Sequence, residues 1–192
     1  VRKLGGSRLA WNIALYMGLQ SFAFYVVLAW LPDMLQARGA SPEHAGWMLS
    51  LSQFWGIVGS LAVPLWAGRQ AGQRAIVITL AAMDAFALCG LLLQGAGPAG
   101  IWVSLLGFSL GGAFGLSLFM IGARSADAET AASLSGLAQS IGYLIAACGP
   151  LVAGSLFDLS GSWNATLLLL LALVAARVWA GMGAARPHLI SH

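Results

Sequence analysis

Long apolar runs separated by short polar breaks organise this chain. Six runs stand out, at about residues 11–31, 44–68, 75–95, 99–123, 131–156 and 163–183. Each is near the roughly 20 residues that a helix needs to cross about 30 Å of hydrocarbon. The breaks carry turn chemistry: Pro32, Gly39 and Pro42; Arg69 to Arg74; Gly95, Gly97 and Pro98; Arg124 to Thr130; Asp158 to Gly161. The runs lack the alternating polarity of barrel strands, and a chain in lipid must satisfy its own backbone polar groups, so helices are expected. The pattern predicts an all-α polytopic membrane bundle, one domain of six transmembrane helices over residues 1–192.

Composition agrees with this pattern. Of 192 residues, 59% are hydrophobic and 8% charged, against about 25% charged in soluble domains. That is too few charges to cover a surface in water. The net charge of +3 is spread thinly over the loops, away from aromatic clusters. The expected partner is therefore the lipid bilayer and not nucleic acid. Cys89 and Cys148 both lie inside apolar runs, which argues against a disulfide framework. His44, His188 and His192 lie in loops or the tail without ligand spacing, so no metal and no cofactor is expected. The first run follows Arg2, Lys3 and Arg8, but it is too long for a signal-peptide core and no small-residue cleavage site follows it.

Lysine and arginine set the expected orientation. With a cytoplasmic N-terminus, one side receives Arg2, Lys3, Arg8, Arg69, Arg74, Arg124, Arg186 and a snorkelling Arg177, eight in all, and the other receives Arg38 alone. Both termini are then cytoplasmic. Trp11, Trp66 and Trp179 fall near the predicted inner ends and Trp30, Trp47, Trp102 and Trp163 near the outer ends, as interfacial belts require; Trp55 alone is deep.

The chain also repeats itself. Leu51, Gln53, Gly56, Pro64, Leu65, Ala67 and Gly68 match Leu137, Gln139, Gly142, Pro150, Leu151, Ala153 and Gly154 at a constant offset of 86 residues. The second run crosses inward and the fifth outward, so the expected units, about 8–95 and 97–183, form a 3+3 inverted repeat. Secondary transporters use that device to place a solute site near the bilayer midplane.

With a rise of about 1.5 Å per residue, the midplane lies about ten residues into each run. Gln20, Gln53 and Gln139 all fall there, on three different helices. An amide both donates and accepts, which suits a small polar or anionic solute without burying a charge. Tyr16 with Gln20, and Gln139 with Tyr143, are i,i+4 pairs on shared stripes, and Asn12 extends the first stripe. Tyr16, Gln20, Gln53, Gln139 and Tyr143 are thus the candidate solute contacts; interhelical hydrogen bonding is the competing role for each glutamine. Asp84 is the single acid at mid-run. It is a candidate for proton coupling, or else a structural hydrogen-bond acceptor. Gly107, Gly111 and Gly115 recur every fourth residue, as close helix packing demands.

Met17-Gly18-Leu19-Gln20-Ser21 leading to Trp30-Leu31-Pro32, and Leu134-Ser135-Gly136 with Gln139-Ser140, Gly142-Tyr143 and Gly149-Pro150, resemble the C-terminal half of the cyanate and nitroimidazole transporter family. That family belongs to the major facilitator superfamily. The resemblance covers most of the chain and implies helices seven to twelve of a twelve-helix fold, moving a small solute across a bacterial inner membrane. It also implies a partner, either a preceding six-helix half or a second copy of the chain. The chain begins with Val and not Met, so a fragment, a truncated frame and a non-ATG start are all open. Arg69 to Arg74 resembles a degenerate copy of the superfamily's basic cytoplasmic loop, without its Asp.

Two other classes compete with a transporter. Gly107-Phe108-Ser109-Leu110-Gly111 matches the G-x-S-x-G nucleophile pattern on the fourth of six spans, which resembles the rhomboid intramembrane proteases. Such a serine needs a histidine base; the sixth run, 163–183, where the rhomboid base would lie, contains no His, and all three histidines lie in loops or the tail, so enzymatic activity is not expected. A non-transporting truncated paralogue or membrane scaffold is the remaining alternative.

Overall fold

A computed structural model describes residues 6–93 and 99–186. Six helices account for almost all of these residues: α1 (Arg8–Gln36), α2 (Pro42–Gly68), α3 (Arg74–Leu93), α4 (Ala99–Ala123), α5 (Ala128–Ser160) and α6 (Trp163–Ala184). All six are long and apolar enough to cross a membrane. Gly95, Gly97, Pro98, His188, His192, Arg2 and Lys3 lie outside the described residues.

Local chemistry starts and stops the helices. Ser7, Ser41, Asp127 and Ser162 are N-caps whose side chains accept from the N–H groups of Ala10, His44, Thr130 and Asn164. Gly161 ends α5 in the left-handed region, at φ 67°, where a side chain would be strained. The expected break at Pro32 is a correction: α1 runs through it for another turn to Gln36. Proline removes one N–H from the ladder without forbidding the helix, and the Gln36 amide donates back to the Pro32 carbonyl at 3.3 Å. Pro64 and Pro150 likewise sit inside α2 and α5.

Pairwise contacts give the direction of each helix. Gly107, Gly111 and Gly115 of α4 meet Ser52, Gly56 and Ser60 of α2 in ascending register, so α2 and α4 are parallel. Gly142, Gly149 and Gly154 of α5 meet Gly18, Phe22 and Trp30 of α1, also in parallel. α6 runs antiparallel to α1, with Gly181 at Tyr16 and Gly183 at Asn12. α3 runs antiparallel to α4, with Gly90 at Trp102 and Asp84 at Ser109. The helices therefore alternate in direction along the chain. The α2–α4 and α1–α5 seams are the most extensive, followed by α1–α6 and α3–α4.

This arrangement gathers Arg8, Arg69, Arg74, Arg124 and Arg186 at one end of the bundle. Arg124 ties that end together, donating to the Gln73 side chain and to the Ala184 and Ala185 carbonyls. Burial pulls its pKa below the ordinary arginine value. Arg38 lies at the opposite end, where it donates to Asn164 at 2.9 Å. Arg177 corrects the charge tally: it is 4% exposed, well inside α6, and pairs with Asp84 instead of snorkelling to an interface.

Two apolar clusters fill the interior, one toward each end. The first includes Ile13, Met17, Ile76, Leu80, Leu116 and Met120. The second includes Val26, Leu31, Leu88, Leu91, Val103 and Leu167. Between them, at mid-depth, lie the buried polar residues Gln20, Ser21, Asp84, Ser109 and Arg177.

The α2–α4 seam is the tightest contact. A Cβ at Gly107 or Gly111 would run into the backbone of Ser52 or Gly56, whereas one at Gly136 would meet nothing within 4 Å. Gly111→Ala is expected to lose about 2 kcal/mol of stability through overpacking, and Gly136→Ala to lose none; thermal unfolding in detergent measures both. Single cysteines at Gln70 and Ala126 should be labelled from the same side of the membrane and one at Gly39 from the other. Labelling of 70 and 126 from opposite sides would overturn the helix directions.

Candidate functional site

The described residues form a cavity of about 230 Å³ at mid-depth between α1, α2, α4 and α5. Its lining includes three of the five expected solute contacts, Gln20, Gln53 and Tyr143, with Ser21, Phe24, Tyr25, Gly56, Ile57, Ser60, Gly111 and Phe114. No charged side chain lines it. The stripe 53, 56, 57 and 60 on α2 has helical periodicity, as does 20, 21 and 24 on α1. Ile57, Ser60 and Phe24 were therefore within reach of the same spacing rule that picked out the tyrosines. Tyr25 follows Ser21 by four in the same way, whereas Phe114 lies on a helix where no polar residue is singled out as a solute contact.

The glutamines differ in how they are held. Gln20 is 2% exposed; its Nε2 donates to the Leu110 carbonyl of α4 at 3.0 Å, and its Oε1 accepts from Ser21 at 2.9 Å. It is both an interhelical tie and part of the cavity wall. The Gln53 side chain is half-buried and makes no hydrogen bond to the described residues. Tyr143 is 44% exposed and its hydroxyl has no partner among them. These two polar groups face the cavity with hydrogen-bonding capacity to spare.

Two expected contacts lie elsewhere. The Gln139 Nε2 donates to Ser135 Oγ at 2.6 Å on its own helix, and Gln139 does not line the cavity. Tyr16 is 1% exposed and packs beside Gly181 of α6, turned away from the cavity. The i,i+4 stripe joining Tyr16 to Gln20 is real, but α1 is buried on several sides and the cavity begins one turn further along it.

Asp84 also lies outside the cavity. Its carboxylate forms an ion pair with Arg177 of α6 and accepts from the Ser109 hydroxyl of α4. A buried charge needs a partner and hydrogen bonds to offset its desolvation, and Asp84 has both. This accounts for Ser109 too: it is fully buried beside a carboxylate, with the Leu106 carbonyl 3.0 Å away, and the described histidine, His44, is in the exposed first turn of α2. Among the described residues no imidazole lies beside Ser109, whose hydroxyl is held by Asp84 and the Leu106 carbonyl.

The chain is 43% identical to the uncharacterized transporter YycB of Bacillus subtilis (strain 168) over 96% of its own length and 46% of that protein's. It is 39% identical to the 2-nitroimidazole transporter of Escherichia coli (strain K12), over 87% of the chain and 42% of the relative. The chain is a homologue of membrane transporters. The cyanate transport protein CynX of the same E. coli strain is 29% identical over 80% of the chain and 40% of the relative. The chain spans about half the length of these curated relatives. No family model matches it. With six membrane-length helices and transporter homologues, it is a multi-pass membrane protein.

Asp84→Asn should cost about 3–5 kcal/mol, because it leaves the Arg177 charge buried without its partner. Replacing both residues, as Asp84→Leu with Arg177→Met, should recover most of that loss in the same thermal unfolding assay. A double variant no more stable than Asp84→Asn would mean that the pair does more than neutralise itself.

Proposed function

We propose that the chain is one six-helix half of a major-facilitator secondary transporter, which moves a small solute by alternating access. The observation that carries this reading is the mid-depth cavity between α1, α2, α4 and α5, with the free polar groups of Gln53 and Tyr143 facing into it. Amides, hydroxyls and aromatic rings without a formal charge suit a small, flat, polar or singly anionic solute. A ring would stack on Phe24, Tyr25 or Phe114, and its polar edge would meet Gln53 and Tyr143. A volume of about 230 Å³ is below the roughly 300–1,000 Å³ of drug-sized sites. The relatives named for 2-nitroimidazole and cyanate are consistent with that scale.

The inverted repeat belongs to this reading. α1–α3 and α4–α6 alternate in opposite senses, and exchanging the two units carries the α2–α4 seam onto the α5–α1 seam. The mid-depth polar residues support it at a second register. Tyr16 and Ser109 are 93 residues apart, as are Asp84 and Arg177, and each pair sits on helices that the exchange relates.

The partner in this reading is a second six-helix half. α2 and α5 expose Phe54, Ile57 and Leu61, and Tyr143, Leu144 and Leu151, and the relatives are about twice as long. In this reading the basic end faces the cytoplasm of a bacterial inner membrane, with both termini on that side, as the clustered arginines favour.

Uptake into vesicles containing the intact transporter tests the site. Gln53→Ala and Tyr143→Phe should each reduce transport about tenfold through lost hydrogen bonds, while Gln139→Ala changes it little. Unchanged kinetics and competition profiles in both Gln53→Ala and Tyr143→Phe would remove the cavity from the transport path. No uptake by the parent would favour a non-transporting scaffold.

A further inference from the structure

One turn of α4 is held from three sides at mid-depth. Successive helix residues project about 100° apart, and Ser109, Leu110 and Gly111 use that spread. The Ser109 hydroxyl donates to Asp84 of α3, whose carboxylate is paired with Arg177 of α6. The Leu110 carbonyl accepts from the Gln20 amide of α1 at 3.0 Å. Gly111 rests on the backbone of Gly56 in α2 and lines the solute cavity. Asp84 and Arg177 do not line that cavity, yet the residue that touches the ion pair and the residue that lines the cavity are only two positions apart on α4.

Packing alone does not align α1 with α4 here. Beside the ion pair a gap of about 10 Å³ remains, bordered by Leu19 and Ala23 of α1, Leu106 and Leu110 of α4, and Asp84 and Arg177. The α1–α4 contact is also less extensive than either main seam. Where side chains leave a gap, polar ties set how two membrane helices meet. The Gln20 tie can form in one orientation only. A carbonyl only accepts, so Nε2 faces Leu110, and Oε1 is left to accept from Ser21 at 2.9 Å. Gln20 is thus a preset polar edge of the cavity wall, whereas Gln53 and Tyr143 have no partner among the described residues to set them.

We propose that Ser109, held by the Asp84–Arg177 pair, is a positioning residue for the solute site. It fixes the rotation of α4, and through the Leu110 carbonyl it fixes the edge that Gln20 presents to the cavity. This role rests on the transporter reading and gives the ion pair a purpose beyond its own neutralisation. A serine inside a membrane helix can satisfy its hydroxyl on its own backbone. Ser117 does so on Ala113 at 2.8 Å, and Ser109 has the Leu106 carbonyl 3.0 Å away. The reach of Ser109 to another helix therefore serves the alignment of α4 and not its own hydroxyl.

Side-chain amide NMR of the purified protein, with isotope-labelled glutamine, reads Gln20 directly. Ser109→Ala should speed exchange of the Gln20 amide protons about fivefold. The double variant Asp84→Leu with Arg177→Met should do the same, although its thermal unfolding recovers. Ser117→Ala removes an equally buried α4 serine that is bonded within its own helix, and should change Gln20 by less than about twofold. With 2-pyridone, a small flat polar ring, as the probe, affinity should fall about fivefold in Ser109→Ala and stay at the parent's value in Ser117→Ala. Parent-like Gln20 exchange in folded Ser109→Ala or in the folded double variant would overturn the proposal, and if one of them does not fold the other decides. An equal rise in Ser117→Ala, or unchanged 2-pyridone affinity with Gln20 loosened, would overturn it too. No 2-pyridone binding by the parent, with unchanged uptake in Gln53→Ala and Tyr143→Phe, would overturn the transporter reading instead, while the Gln20 exchange, which needs no solute, still decides the anchor.

Discussion

Close approach of α4 to α2 is the contact on which the rest of the bundle depends. Lipid gives no hydrophobic reward for bringing two apolar helices together, so packing and polar ties must do so. Gly107, Gly111 and Gly115 remove the side chains that would hold the backbones apart, and Ser52, Gly56 and Ser60 fill the space. The seam fixes where Gln53 and Ser60 sit relative to Gly111 and Phe114, and so it shapes one wall of the cavity. The α1–α5 seam shapes the other wall less tightly, through Gly18 and Gly142 and a Trp30 hydrogen bond to the Pro150 carbonyl.

Polar groups complete what packing begins. The mid-depth layer holds an ion pair, a serine and an interhelical glutamine between two apolar clusters. Each polar atom here is expensive to bury alone and tolerable once paired. Asp84 and Arg177 join α3 to α6, Ser109 brings in α4, and Gln20 ties α1 to the backbone of α4. The same depth therefore carries both the structural cross-links and the cavity, and Gln20 belongs to both.

The division of labour among the three glutamines follows from their neighbours. Gln20 is held by the Leu110 carbonyl and the Ser21 hydroxyl, Gln139 is occupied by Ser135 one turn away, and Gln53 has no partner among the described residues. In a membrane, an unpaired amide at mid-depth is tolerated where it meets water or a solute. In the proposed transporter, the weight of solute recognition would fall on α2 and on Tyr143 of α5, with Gln20 contributing through a fixed edge.

Much of the fold was legible from the residues alone, because a helix that must bury its own backbone in lipid announces itself by length and apolarity. The six spans, their alternating direction and the gathering of Arg69, Arg74 and Arg124 at one end follow from that constraint, and so does the common depth of Gln20, Gln53 and Asp84. What depth cannot give is azimuth, the direction in which a residue faces around its helix, since that depends on which helix packs beside it. Tertiary structure alone decided that Tyr16 turns toward Gly181, that Gln139 bonds within α5, and that Arg177 stays inside to meet Asp84. The last is the clearest case: a lone arginine near the end of an apolar run reads as a snorkel until the acid 93 residues earlier is found facing it across two antiparallel helices.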